Sequence, residues 1–302
     1  MGKIDLYHRR IWVEKFTFWT MKGLTYLSIA LLFLIFLGLI YKSIPILRET
    51  SLSHLLFSSE WQPLKMKFGL LPFIVSTIYV TFISIAISVP LCLLSAIYLS
   101  EYADKRMIAF VTPLVDILAG IPSVIFGIWG IIEVVPLVRD FIAPAFGTTS
   151  SGYTILTGGI VLSIMIFPII LHVLLEVFGT IPEDLKNASL SVGATKWQTV
   201  KFIILRKAAP GVISAVVLGL SRAFGETLAL LMVVGNVILV PRSPLDPGYP
   251  LTALIANNYG EMMSIPLYDS ALMLASLILF VIVLIFNYIA RRILNNIERK
   301  IS

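Results

Sequence analysis

Charged residues are scarce in this chain. Asp, Glu, Lys and Arg make up 13% of its 302 residues, about half their usual share in soluble domains. The hydrophobic share is 58%, against about 45–50% in such domains, so the composition describes a polytopic membrane protein. The single cysteine, Cys92, excludes an intrachain disulfide and reads as a small hydrophobic filler. Only three histidines are present, and His8, His54 and His172 fall in different parts of the chain, which argues against a metal centre. The one Gly-Lys pair is Gly2-Lys3 at the terminus, so there is no phosphate-binding loop and no ATP site. No low-complexity tract or internal repeat is visible. The basic residues cluster at the ends of apolar runs rather than in a patch, which excludes a nucleic-acid surface.

What the sequence does contain is apolar stretches of membrane-spanning length, about 20 residues each. They lie at 23–44, 70–99, 107–135, 154–178, 211–240 and 269–290, giving an all-α fold with six transmembrane helices. The first follows a basic leader, residues 1–22, but is longer than a signal-peptide core and has no small-residue cleavage site after it, so it reads as an uncleaved anchor. An external segment at 45–68 separates this helix from a core of five further spans over 69–290. A cytoplasmic loop at 179–209 lies within that core, and a tail at 291–302 closes the chain.

The basic residues set the orientation. With both termini in the cytoplasm, sixteen Lys and Arg lie inside and six outside, and the positive-inside rule selects this arrangement, N-in and C-in. A cysteine placed at Thr148 or Pro247 is therefore expected to react with an impermeant thiol reagent in intact cells. One at Ala103 or Ser191 is expected to react only after permeabilisation. The opposite pattern would invert the topology.

Two charges stand inside the fifth run. In "SRAFGETLAL" (221–230), Arg222 and Glu226 are four residues apart, which on a continuous helix places them on one face. Together they oppose insertion by roughly 5–7 kcal/mol, and the sixteen Leu, Ile, Val and Phe of 211–240 favour it by roughly 5–10 kcal/mol. The span inserts with little margin. One reading is a self-neutralising pair that packs against other helices. The other is a substrate pathway, since intramembrane charges usually mark one.

Smaller features recur nearby. Ala119, Ser123 and Gly127 repeat every four residues beside Pro122, a pattern that suits close helix packing, and Ser123 and Gly127 also suit the lining of a pathway. His172 and Glu176 share a face with Pro168 and read as an interfacial polar pair. The sequence does not decide between pathway and packing for Asp116 and Glu133.

The cytoplasmic loop "IPEDLKNASLSVGATKWQTVKFIIL" (181–205) predicts two short helices. Pro182 suits a first helical position, with Glu183 and Asp184 in the first turn. Gly193 suits a left-handed helix end, and Thr195 with Gln198 predicts a capping box. Such an element is either a structural hairpin or a docking knob for another protein.

The loop resembles the coupling motif of ABC-importer permeases, a Glu-Ala-Ala followed by a glycine and later a Leu-Pro. Here Asn187-Ala188-Ser189 stands for the triplet, Gly193 for the glycine, and Leu205-Arg206 for Leu-Pro. "SSEWQP" (58–63), "FGLLPFIVST" (68–77), "YLSEYA" (98–103), "AGIPSVIFGIWG" (119–130), "SRAFGETLALLMVVGN" (221–236) and "LTALIANNYGE" (251–261) follow in order. Over roughly residues 55–290 the chain is similar to the PstC-type permeases of phosphate-specific ABC importers.

That resemblance implies a type I importer architecture in a prokaryotic inner membrane. It also implies a second, PstA-type permease subunit, two ATP-binding subunits at the cytoplasmic loop, and an external phosphate-binding protein. Phosphate is then the substrate, with ATP used by the partner and no cofactor in this chain. It places Arg222 and Glu226 among the residues important for translocation, and Asn187, Ala188, Ser189, Gly193, Ala194 and Thr195 in the ATPase-coupling loop. The alternatives are a PstA-type subunit or a permease for another oxyanion. A channel or secondary transporter would leave the ordered loop unexplained, and an intramembrane enzyme would need a nucleophile–base set that is not evident.

Overall fold

The computed structural model describes residues 2–261 and 264–301. Apart from one small hairpin it is helical. Five helices are long and apolar enough to cross a membrane, and a sharply bent pair makes a sixth when counted as one span.

Helix α1 (Gly2–Glu49) is longer than the predicted first span and lies at the edge of the bundle. Over the last part of the chain it packs on α11 (Tyr268–Ile301). Lys42 Nζ sits 3.3 Å from Asp269 Oδ2, the Ser270 hydroxyl donates to Lys42 O at 2.8 Å, and Phe36 stacks near Phe280. From Trp12 onward most of the apolar surface of α1 is exposed, as suits a helix solvated by lipid.

The segment after α1 is ordered. A short helix α2 (Leu52–Phe57) leads into strands β1 (Trp61–Gln62) and β2 (Lys67–Phe68), paired antiparallel with Trp61 opposite Phe68. Trp61 is the hub of an aromatic cluster with Phe68, Phe73 and Tyr268. Lys67 bonds Glu60 and holds that carboxyl below its usual range.

The centre of the bundle is α3 (Leu71–Tyr102) against α6 (Ile155–Gly179). Gly159 makes their approach close: a Cβ there would lie 2.4 Å from Ile83 Cγ2. The hydroxyls of α3 do a second job. Ser76 and Thr77 accept the backbone N–H groups of Tyr249 and Leu251 at 3.1 and 2.8 Å, anchoring a segment from later in the chain.

Two predicted spans are not single helices. The run 107–135 is α4 (Lys105–Gly120) followed by α5 (Ser123–Ala145), bent by 96°. Pro122 is the cause: it disfavours helical backbone in the residue before it, and Ile121 is extended at ψ 128°. Ala119 therefore lies across the bend from Ser123 and Gly127, and the three residues do not form one stripe.

The fifth span differs more. After α7 (Glu183–Ser191), helix α8 runs from Lys196 to Gly225, fifteen residues earlier at both ends than the predicted 211–240. A short helix α9 (Leu228–Val233) follows a break, and the chain then turns back through Gly235 and Asn236, both at positive φ. It is pinned at the start of α6, where Ile155 N and Leu156 N donate to Asp246 O and Pro244 O at 2.9 and 2.8 Å. Helix α10 (Leu251–Asn258) then leads to α11.

Candidate functional site

The break between α8 and α9 holds both charges of the fifth apolar run. Arg222 is in the last turn of α8, and Glu226 is the first residue beyond it, extended at φ −73°, ψ 131°. The two side chains therefore do not share a helix face. Among the described residues none of the ion pairs joins them, which argues against the alternative of a self-neutralising pair on one helix face.

Each charge instead answers a helix end. Arg222 stands where the α8 dipole is negative. Glu226 is buried, and its Oε1 accepts the backbone N–H of Ala229 at 3.2 Å, satisfying a donor that the first turn of α9 leaves free. The Glu226 carbonyl accepts the Thr252 hydroxyl at 2.8 Å, so α10 holds the break from the other side. Sequence reasoning missed Thr252, because nothing local shows that 251–258 folds back against 226.

Arg222 has no such partner. It is exposed on the surface of the chain and, among the described residues, makes no side-chain hydrogen bond or ion pair. An unpaired guanidinium is costly to leave facing lipid, so its exposed position favours contact with water or protein.

Gly127 comes to the same place. It is buried where α5 meets α9, and a Cβ would lie 2.6 Å from Met232 Sδ and 3.3 Å from Ala229 Cα. Ser123, half-buried, begins α5 one turn earlier. Gly127→Val is expected to push α5 off α9, lowering stability by about 1–3 kcal/mol. Thermal unfolding of the purified protein checks this, and an unchanged midpoint would show that the close approach is not needed.

The remaining polar residues resolve differently. His172 is paired with Asp116 on α4, Nε2 to Oδ1 2.8 Å, rather than with Glu176. Glu133 is exposed on a π turn, Gly130–Val134.

The loop between α6 and α8 folds much as its residues direct. Helix α7 spans Glu183–Ser191, with Pro182 one position earlier than expected, at the cap. Gly193 adopts φ +86°, and the Thr195–Gln198 capping box is complete, with bonds of 3.3 and 2.8 Å. Ser189 and Thr199 hydroxyls meet at 2.9 Å, closing the hairpin. Asn187 and Ala188 are exposed on α7, with Ala194 partly covered in the turn. Leu185, Leu190, Val192 and Trp197 are also exposed, up to 85% at Val192. Apolar residues in a hydrated loop mark a surface made to be covered.

Residues 88–302 match the model for the binding-protein-dependent transport system inner membrane component. The chain belongs to that family. This permease is 37% identical to the phosphate transport system permease protein PstC of Xylella fastidiosa (strain Temecula1) over 81% of its own length and 79% of the relative's. It is 36% identical to the probable ABC transporter permease protein YqgH of Bacillus subtilis, over 78% and 77% of the two chains. Against PstC of Haemophilus influenzae the identity is 31% over 99% and 98%. Among solved structures, a bacterial alginate ABC transporter superposes with a TM-score of 0.61 at 17% identity, covering 94% of this permease and 98% of that chain. The MetNI methionine ABC transporter gives 0.54 at 21%, covering 76% and 94%. The fold is that of an ABC-importer permease. As a family member the permease is a multi-pass inner-membrane subunit that relies on a separate ATPase and a binding protein.

Proposed function

We propose that this permease carries inorganic phosphate across the inner membrane as the PstC-type half of an importer. Its PstC relatives are named as phosphate permeases and match most of its length. The observation that carries the pathway is the unpaired, exposed Arg222 at the end of α8. Its planar fork of donors suits a tetrahedral oxyanion. Glu226 commits one oxygen to Ala229 N–H, leaving the other to accept the hydroxyl that protonated phosphate has and sulfate lacks. Gly127 and Ser123 keep α5 against this site. A PstA-type subunit on the exposed faces of α4, α5 and α8 would complete the path around Arg222.

The loop from Asn187 to Thr195 is the dock for the ATP-binding subunits. Cysteines at Ala188 and Thr195 are expected to crosslink to the ATPase in an assembled, active complex. A complex that transports phosphate yet yields no crosslink at either position would remove the docking role.

A further inference from the structure

One partly buried ion pair lies outside the site described above. Glu101 is in the π turn Tyr98–Tyr102 that ends α3, and Lys186 is on α7, 85 residues later. Lys186 Nζ lies 2.8 Å from Glu101 Oε1, with side-chain exposures of 15% and 8%. Ser100 Oγ donates to the same oxygen at 3.2 Å. Glu183 is also 3.8 Å from the ammonium, but it is 81% exposed, so Glu101 is the partner that matters.

The setting gives the pair its importance. Helix α7 has no buried residue and so has little apolar grip on the bundle. Its hydrogen bonds beyond itself, among the described side chains, are Ser189 to Thr199 within the hairpin and Lys186 to Glu101. The second is thus the one side-chain hydrogen bond there that joins α7 to α3, a central span. A neighbouring contact runs the same way: Lys196 Nζ stands 4.7 Å above the Tyr102 ring. A buried pair is a poor source of stability compared with apolar packing, but removing one partner strands a charge.

We propose that Glu101 and Lys186 form a strut that transmits movement of α7 to α3, making them positioning residues for transport. The proposal rests on α7 being the ATPase dock. Rigid elements in contact pass on displacement when their junction is strong and directional, and a charge-assisted bond of this length is both.

The test uses the complete transporter in proteoliposomes with ATP and labelled phosphate. Glu101→Gln and Lys186→Met should leave complex yield and crosslinking from Ala188→Cys to the ATPase at wild-type levels. Phosphate uptake should fall about tenfold or more while ATP hydrolysis persists, because the stranded charge breaks the junction without breaking the dock. Lys186→Arg should retain uptake, and the swapped Glu101→Lys/Lys186→Glu protein should recover it to within about threefold of wild type. Normal uptake in either single variant would overturn the strut. So would a swap no better than the singles, or loss of the ATPase from the singles, which would make the residues part of the dock or the fold. No Ala188 crosslink in the wild type would overturn the docking reading and the strut together. A normal crosslink with normal Glu101→Gln uptake would overturn the strut alone.

Discussion

Replacing Arg222 by Gln is expected to reduce phosphate uptake about a hundredfold while the complex still assembles. A hydrogen bond to a charged group contributes roughly 1.5–3 kcal/mol, and the guanidinium fork offers more than one to the same anion. Gln keeps the length and polarity of the side chain but not its charge. Among the described residues Arg222 has no ion pair or side-chain hydrogen bond to lose, so the fold has little reason to respond. Glu226 responds differently because it does two things. Glu226→Gln retains a carbonyl oxygen to accept Ala229 N–H and should preserve the break while abolishing uptake. Glu226→Ala loses the cap as well, at about 0.5–2 kcal/mol, and should lower stability in addition to activity. Uptake of labelled phosphate, read beside subunit stoichiometry, separates these effects. Normal transport by both Gln variants would make the two charges structural and move the pathway elsewhere.

The second large effect is at Gly193. Its φ of +86° is costly for any side chain, by roughly 1–2 kcal/mol and most for a β-branched one. A Cβ there would meet no atom within 4 Å, so the cost is one of backbone conformation and not of crowding inside this chain. Gly193→Val should open the turn between α7 and α8 and cut recovery of the ATPase about tenfold, with the protein still in the membrane. Gly193→Asn, which tolerates the left-handed region, should retain most of it. Full ATPase recovery and transport in the Val variant would show that the turn geometry is not what the partner recognises.

The difference between these sites explains how much the sequence reveals. The hairpin of α7 and the start of α8 is legible because its determinants are local. A proline, a glycine and a Thr-x-x-Gln box each act within a few residues, and each appears in the structure. The bend at Pro122 is local too, though its angle is set by where α5 must pack. The break at Glu226 is not local. Hydropathy runs unchanged from Gly211 to Val240 and suggests one helix, while the helix ends at Gly225. The decision is made by contacts from far along the chain: Thr252 on the Glu226 carbonyl, and Ser76 and Thr77 on the returning backbone. The broken helix also changes the meaning of the charges. Read as one face, Arg222 and Glu226 neutralise each other. Placed on two helix ends, each is tolerated separately, and Arg222 is left with its donors free. His172 gives the same lesson, since the residue it pairs with, Asp116, lies on another helix rather than one turn away.

We propose that the free guanidinium at the α8 break belongs to a phosphate path powered by a subunit docked on α7. The most direct test is uptake by proteoliposomes holding this permease with its second permease, ATPase and binding protein. Labelled phosphate and labelled sulfate are offered separately, with and without ATP on the side of the coupling loop. Phosphate accumulation that requires ATP, with no sulfate accumulation, is the expected result. Equal accumulation of sulfate, or phosphate entry at the same rate without ATP, would contradict it.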